Sequence, residues 1–136
     1  MRLESLMNEI SLDMADIKIA PSMLSADFLH LEKDVRMVNE HADIFHLDVM
    51  DGTFVPNISY GFPVVEAIAE QAQKPLDVHL MIVHPEKYAA KFVKSGAAMV
   101  SFHLEAVEND AKADEILAEI RAAGAKAGLV INPDIP

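Results

Sequence analysis

FHLDVMDG, residues 45–52, is the stretch from which the fold of this chain can be predicted. Successive side chains of a β-strand point to opposite faces, so the apolar residues at odd positions share one face, and His46 and Asp48 share the other. Asp51 and Gly52 follow as a turn signal. We therefore predict a buried strand that has one apolar face and one face carrying reactive side chains.

The same arrangement recurs in LDVHLM, residues 76–81, where apolar residues alternate with Asp77 and His79. A further predicted strand at residues 99–104 continues the pattern. Across these strands the polar side chains keep one parity: His46, Asp48, Asp77, His79, Ser101, His103 and Glu105. This repetition indicates a shared polar surface.

Strand-like and helix-like segments alternate from residue 17 onward. Five strands are predicted, at residues 17–23, 44–50, 76–81, 99–104 and 126–131. Four helices are predicted between them, at residues 27–41, 61–73, 85–95 and 109–123. The helices carry start or stop signals: Ser25 or Asp27, Pro85, Asn109, Gly96 and Gly124. Such alternation predicts an α/β fold with a parallel sheet and right-handed crossovers.

Two architectures fit this order, an open doubly wound sheet and a barrel. Central strands of an open sheet are covered on both faces and read as continuously apolar, whereas these strands alternate. Polar side chains that converge from neighbouring strands fit a barrel interior better. A closed eight-stranded barrel takes about 250 residues, and the chain has 136. We predict that residues 17–136 form a partial (β/α)8 TIM barrel, about its first five strands and four helices, truncated after the fifth strand.

Residues 1–16 differ from the rest. Apolar residues recur there at helical spacing, but acidic residues interrupt them, so we predict a leader or a frayed helix. Met14 is an alternative start of the natural chain.

Composition limits the partners. The net charge of −11 disfavours nucleic acid and anionic membrane surfaces, and no apolar run reaches the length of a membrane span. The chain has no cysteine, which fits a cytoplasmic location. A metal ion would therefore have to be bound by histidine and carboxylate groups.

His46, Asp48 and His79 are the candidate metal ligands. His46 and Asp48 lie two residues apart on one strand, roughly 6 to 7 Å, and a neighbouring strand about 4.8 Å away could add His79. Two imidazoles and a carboxylate suit one divalent ion of zinc, iron, manganese or cobalt. Asp48 could also take a proton from a carbon beside a metal-polarised carbonyl.

Other polar and sulfur-containing residues could complete this site. Asp77 is a candidate to orient a histidine. Ser22 could donate a hydrogen bond to a substrate or cap a turn. Methionines that end three strands could form a dry wall or only fill the core: Met23, Met50 and Met81. His103 and Glu105 could line the same cavity. The remaining histidines are predicted to lie on the surface: His30, His41 and His84.

Taken together, several motifs closely resemble the ribulose-phosphate 3-epimerase family. They are IAPSMLSADF at residues 19–28, FHLDVMDG at 45–52, FVPN at 54–57, LDVHLM at 76–81 and the dipeptide NP at 132–133. The resemblance extends in order from residue 17 to residue 136. Allulose-6-phosphate 3-epimerases share much of this pattern, so the sugar is less well defined by the motifs than the chemistry.

The resemblance implies a metal-dependent epimerisation at C3, which interconverts ribulose 5-phosphate and xylulose 5-phosphate through an enediolate in the pentose phosphate pathway. It implies that His46, Asp48 and His79 bind the metal and that Asp48 is one of two acid/base carboxylates. It further implies substrate contacts from four residues: Ser22, His79, Met50 and Met81.

The family's second acid/base aspartate and its phosphate-binding amides lie on later strands that this sequence does not include. The chain is therefore expected to be inactive as an epimerase, or to refold or associate as a homo-oligomer that covers its open side. Two other readings stay open: a non-catalytic half-barrel that binds a metal or sugar phosphate, and a metal-dependent aldolase or hydrolase on a related barrel. Lys18 and Lys126 lie at the entering ends of strands, far from where barrel sites form.

Overall fold

The computed structural model of the chain describes residues 16–134. Within this range, four β-strands alternate with four α-helices. The strands are β1 (Phe45–Met50), β2 (Leu76–Met81), β3 (Ala97–His103) and β4 (Lys126–Val130). The helices are α1 (Leu31–His41), α2 (Phe62–Gln71), α3 (Pro85–Lys94) and α4 (Asp110–Ala122). Of the segment predicted as a leader or frayed helix, residues 1–15 lie outside the described range.

The four strands form one parallel sheet in the order β1-β2-β3-β4. Each strand therefore lies beside the next one in the chain, with a helix between them, as in a segment of a (β/α)8 barrel. The predicted α/β class and parallel sheet are confirmed, and the arrangement agrees with a partial TIM barrel.

The prediction of five strands is wrong, because residues 17–23 do not form a strand. This segment runs beside β1, but it makes only an isolated bridge, from Ser22 to His46. Its carbonyl groups accept from β1 and the residues just before it, at Ile19 and Pro21. Two of its backbone N–H positions cannot pair with a neighbouring strand. Pro21 has no N–H, and the Ile19 N–H donates to the Asp43 carboxylate at 2.7 Å. A regular ladder needs both sets of groups.

The two faces of the sheet differ sharply. Outward side chains of β1, β2 and β3 pack under the helices and are at most 6% exposed: Phe45, Leu47, Val49, Leu76, Val78, Leu80, Val100 and Phe102. Helices α2 and α4 cover them with Val65, Ile68, Ile116 and Ile120, which are all nearly inaccessible to solvent. Burial of side chains of this size stabilises a fold by about 1.5–3 kcal/mol each, so this face supplies the core.

Several predicted helix signals are found in place. Asp27 accepts a hydrogen bond from the Leu29 N–H at 3.0 Å, at the start of the short 3-10 turn that precedes α1. Asn109 caps α4 through the Lys112 N–H. Gly96 and Gly124 have positive φ angles just after α3 and α4, a conformation that favours glycine. In the part of the chain that the structure describes, no helix combines the length and apolar character needed to cross a membrane.

Candidate metal centre and active site

The inner face of the sheet carries side chains in rows that cross the strands. In one row, Asp48 of β1 lies opposite His79 of β2, which lies opposite Ser101 of β3. In the row below, His46 lies opposite Asp77. Because residues paired in a parallel sheet point the same way, the register itself gathers these groups on one surface.

His46, Asp48 and His79 come together around one carboxylate oxygen. Oδ1 of Asp48 lies 3.1 Å from Nε2 of His46 and 3.2 Å from Nδ1 of His79, and one ligand atom from each residue lies within 4.8 Å of the others. Metal–ligand bonds of about 2.0–2.2 Å place neighbouring ligands roughly 3 to 3.4 Å apart. Two imidazole nitrogens and a carboxylate oxygen at these separations fit a divalent cation.

Asp77 holds His46 from the side away from Asp48. Its Oδ2 lies 3.0 Å from Nδ1 of His46, so Nδ1–H donates to this carboxylate and Nε2 is left facing Asp48. The hydrogen bond from His46 to Asp77 raises the pKa of His46, although burial opposes this and the charge of Asp48 adds to it. Asp77 thus lies where a residue that orients a histidine should lie.

Ser22 holds the second oxygen of Asp48. Its hydroxyl donates to Oδ2 of Asp48, and its oxygen accepts from the Leu24 N–H at 3.3 Å, as the N-cap of a 3-10 turn. Burial alone would raise the pKa of Asp48, but the Ser22 hydroxyl and the two histidines outweigh it and hold this pKa below its usual value. Asp48 is therefore ionised at neutral pH.

His103 extends the cluster beyond the predicted ligands. Its Nε2 lies 2.8 Å from Nε2 of His79, the ring planes are 22° apart with centroids 5.0 Å apart, and only 5% of His103 is exposed. Burial, followed by the charge of His79, lowers the pKa of His103. The Phe54 ring also lies beside His103, tilted by 51° with centroids 5.0 Å apart.

The methionines have different positions. Met50 and Met81 pair at the ends of β1 and β2 and point to the inner face, where both are partly exposed. They lie one row above Asp48 and His79, at the position expected of residues that flank a substrate. Met23 is only 2% exposed and belongs to the core. The substrate contacts predicted for Ser22, His79, Met50 and Met81 stay predictions.

The loop after β1 is fixed by Asp51 and Ser59. The Asp51 carboxylate accepts from the N–H groups of Thr53, Phe54 and Val83, each at 2.8 Å. Burial raises the pKa of Asp51, but these amides more than compensate and lower it. Ser59 donates to the Asp48 carbonyl at 2.6 Å and accepts from the Met50 N–H. Ser59 is not among the predicted site residues, and no motif around it indicates this role.

The structure separates the other candidates from this centre. His30, His41 and His84 are exposed, as predicted. Lys18 and Lys126 line a cavity with Asp43 at the opposite end of the sheet, beside the first residues of the strands. Neither lysine lies at the C-terminal edge, where the histidines and Asp48 are found.

Comparisons with known proteins agree with this geometry. A sequence model described as "Ribulose-phosphate 3 epimerase family" matches residues 18–136. The chain is 50% identical over 124 residues to the ribulose-phosphate 3-epimerase of Synechocystis, which covers 89% of this chain and 53% of that protein. It is 46% identical over 121 residues to the Bacillus subtilis enzyme of the same name, covering 88% of the chain and 54% of the relative.

A plant protein, "Ribulose-5-phosphate-3-epimerase, chloroplastic" of Arabidopsis thaliana, is 46% identical over 123 residues, covering 90% of the chain and 43% of the relative. The chain spans about half the length of the curated relatives it matches. The match includes β1, β2 and the histidines and aspartates that they bring together. With a half-barrel topology, this inner-face centre and relatives of one name, the chain belongs to the ribulose-phosphate 3-epimerase family.

Proposed function

We propose that the chain provides the metal-binding half and the first acid/base group of a ribulose-phosphate 3-epimerase. The observation that carries this proposal is the geometry of Asp48. One of its oxygens lies between two histidine nitrogens, and the other accepts from the Ser22 hydroxyl. The carboxylate is thus ionised, held in one orientation and placed at the C-terminal edge of the strands, where barrel active sites lie.

In this proposal Asp48 abstracts the C3 proton of a ketose 5-phosphate. Oδ2 of Asp48 accepts the proton, the electrons of the C3–H bond form a double bond between C3 and C2, and the carbonyl electrons move to its oxygen. The product is an enediolate, to which a proton returns. Ser22 keeps Oδ2 directed along the inner face, and the Met50 and Met81 side chains exclude water above it.

One divalent cation, held by His46, Asp48 and His79, would polarise the substrate carbonyl and so raise the acidity of the neighbouring C–H. The candidates are zinc, iron, manganese and cobalt, all of which accept imidazole and carboxylate ligands. His46 is directed by Asp77 and therefore presents Nε2 to the cation without reorganisation.

The choice of ribulose 5-phosphate rests on the names of the relatives, since Ser22 and the two methionines would contact a pentulose and a hexulose alike. Allulose 6-phosphate is the alternative substrate. A half-barrel that binds a metal or a sugar phosphate without turnover is the second candidate function, because the chain spans only half of its relatives. The homo-oligomeric assembly and the cytoplasmic location stay predictions.

The test is proton NMR of ribulose 5-phosphate with the chain and Mn²⁺, Zn²⁺ or Co²⁺ in deuterated water, with the Bacillus subtilis relative as positive control. Loss of the C3 signal, with or without xylulose 5-phosphate, is the expected result. Allulose 6-phosphate is run in parallel to decide the sugar. Metal binding without any exchange would overturn the catalytic proposal in favour of the binding half-barrel.

A further inference from the structure

We propose that Ser59 is a positioning residue for Asp48 and Met50, which it holds through their backbone groups. The role rests on the proposed function, because Asp48 is the acid/base group and a metal ligand of that proposal. The hydrogen-bond partner along one edge of β1 changes just where the strand brings these two side chains to the inner face.

The backbone groups of β1 face two neighbours in alternation. The Phe45 N–H donates to the Pro75 carbonyl, next to β2, at 2.9 Å, whereas the His46 N–H donates to the Pro21 carbonyl on the other side at 3.1 Å. Because successive backbone groups of a strand point to opposite edges, those of residues 48 and 50 face the same side as those of His46. The segment at residues 19–22 borders this edge.

The segment at residues 19–22 leaves this edge before it reaches Asp48. Ser22 makes the isolated bridge to His46, and the 3-10 turn Met23–Ser25 begins at the next residue. The segment therefore offers no continuing strand to the Asp48 carbonyl or to the backbone groups of Met50. Backbone groups in folded chains nearly always find partners, so another part of the molecule has to supply them.

Ser59 supplies these partners. Its hydroxyl donates to the Asp48 carbonyl at 2.6 Å and accepts from the Met50 N–H at 3.0 Å. Its own N–H donates to the Met50 carbonyl at 3.3 Å. A hydroxyl can make both side-chain bonds because it has one donor hydrogen and free lone pairs. One serine thus takes the place of a neighbouring strand at the end of β1.

Ser59 is itself anchored on both sides. The loop before it bridges back to the residue that follows β1, and Tyr60 after it is only 9% exposed and belongs to the core. Asp48 is therefore held at two points, with its carboxylate bound by the Ser22 hydroxyl and its carbonyl bound by Ser59.

The expected consequence is geometric. A reacting group displaced by about 1 Å can slow a reaction about 100-fold. Without the Ser59 hydroxyl, the end of β1 that carries the proposed proton acceptor and Met50 is no longer held on this edge. We therefore expect loss of the hydroxyl to affect the site through the backbone, although Ser59 contacts neither histidine of the proposed metal centre.

The first measurement is amide hydrogen exchange by NMR in the whole, metal-free chain. The Met50 amide should exchange about tenfold faster in Ser59→Ala, because one ordinary hydrogen bond is lost. The Phe45 amide, bonded on the β2 side, is the internal reference and should not change. Ser95→Ala is the matched control, since it removes a hydroxyl that donates to Glu66 at 3.0 Å on the outer surface. An unchanged Met50 rate in Ser59→Ala would overturn the proposal.

The second measurement separates positioning from stability. Isothermal titration with Co²⁺ at pH 8 compares the parent with Ser59→Ala, Ser95→Ala and Ser59→Thr, which keeps the hydroxyl. Affinity should fall about tenfold in Ser59→Ala, the lower end of the range for groups that orient metal ligands. Ser95→Ala should bind like the parent, and Ser59→Thr should restore both the affinity and the Met50 exchange rate.

Two outcomes distinguish this inference from the proposed function. Folded Ser59→Ala that binds Co²⁺ as tightly as the parent would show that Ser59 is only structural, and would overturn its positioning role. A parent chain that does not bind Co²⁺ at all would count against the proposed function instead. The Met50 exchange rate, which needs neither metal nor substrate, would still decide whether Ser59 holds the end of β1.

Discussion

The two faces of the sheet are made by the same strands, and they differ in what holds them in place. The outer face is apolar and buried by helices, and the close packing of its side chains holds it in place. The inner face depends on the orientation of polar groups, since one oxygen of Asp48 lies 3.1 Å from a nitrogen of His46 and 3.2 Å from a nitrogen of His79. Residues 47 and 48 are neighbours in sequence, yet we expect them to affect different properties: stability for the first, and metal binding and chemistry for the second.

The largest expected effect is on the inner face. Asp48→Asn removes the charge and the proton acceptor while keeping the shape, so C3 proton exchange should fall 10²- to 10⁴-fold, and Co²⁺ binding should weaken. Urea unfolding should change little. Asp114→Asn, an exposed aspartate of α4, is the control and should exchange like the parent. A large loss of stability in Asp48→Asn would break the comparison.

On the outer face, Leu47→Ala should cost about 2–5 kcal/mol of unfolding free energy, because Leu47 is fully buried and its removal leaves a cavity. Leu29→Ala is the matched control, since Leu29 is 90% exposed, and should change stability by at most about 0.5 kcal/mol. The measurement is urea denaturation followed by circular dichroism. Molecules of Leu47→Ala that remain folded should bind Co²⁺ like the parent, and weaker binding by them would show that the faces are coupled.

Asp77→Asn tests how much the orientation of the His46 ring contributes to metal binding, because Asp77 is not itself a proposed metal ligand. The amide can still accept from Nδ1 of His46, but it holds the ring less firmly than a carboxylate does. We expect Co²⁺ affinity to fall near the lower end of the 10- to 100-fold range, as measured by isothermal titration calorimetry at pH 8. Unchanged affinity would mean that the strand backbone alone sets the His46 orientation.

The smallest expected effect is a pH dependence of stability in the metal-free chain. Asp77 raises the pKa of His46 above its ordinary value of 6.5. A group whose pKa is raised on folding adds stability at low pH and loses it as pH rises through the folded-state pKa. The stability difference between the parent and Asp77→Asn should therefore be present below pH 6.5 and shrink above that pKa. Urea titrations with a chelator at pH 5 to 9 measure it, and a difference that grows with pH would contradict it.

Much of the fold could be predicted because apolar and polar residues alternate along the strands, and this pattern indicates which face is buried. The apolar parity of residues 45–49 predicts the buried face of β1, and β2 has the predicted bounds of residues 76–81. The segment at residues 17–23 has the composition of a strand. Its pairing fails at Pro21 and at the Ile19 N–H, which the Asp43 carboxylate takes, and a contact between groups so far apart in sequence leaves no local pattern.

The sequence was sufficient to predict which residues form the site, but not which of their atoms are in contact. Parity places His46, Asp48 and His79 on one side, and the repetition of the motif indicates that they meet. The contact between His79 and His103 depends on the register of β2 against β3, which includes an irregularity between Leu76 and Asp77. Such a shift leaves no pattern in the sequence, so His103 could be placed near the cavity but not in contact with His79.

The Asp51 carboxylate has a consequence for the thermodynamics of ligand entry. It binds three backbone amides from two separate segments, the loop after β1 and the residue that follows β2 and Ile82. The loop also bridges back on itself, from Asp51 to Ile58. Its conformational entropy is therefore lost when the chain folds, not when a ligand arrives. A ligand of the proposed site would therefore meet a loop that is already ordered, and less conformational entropy would be lost on binding.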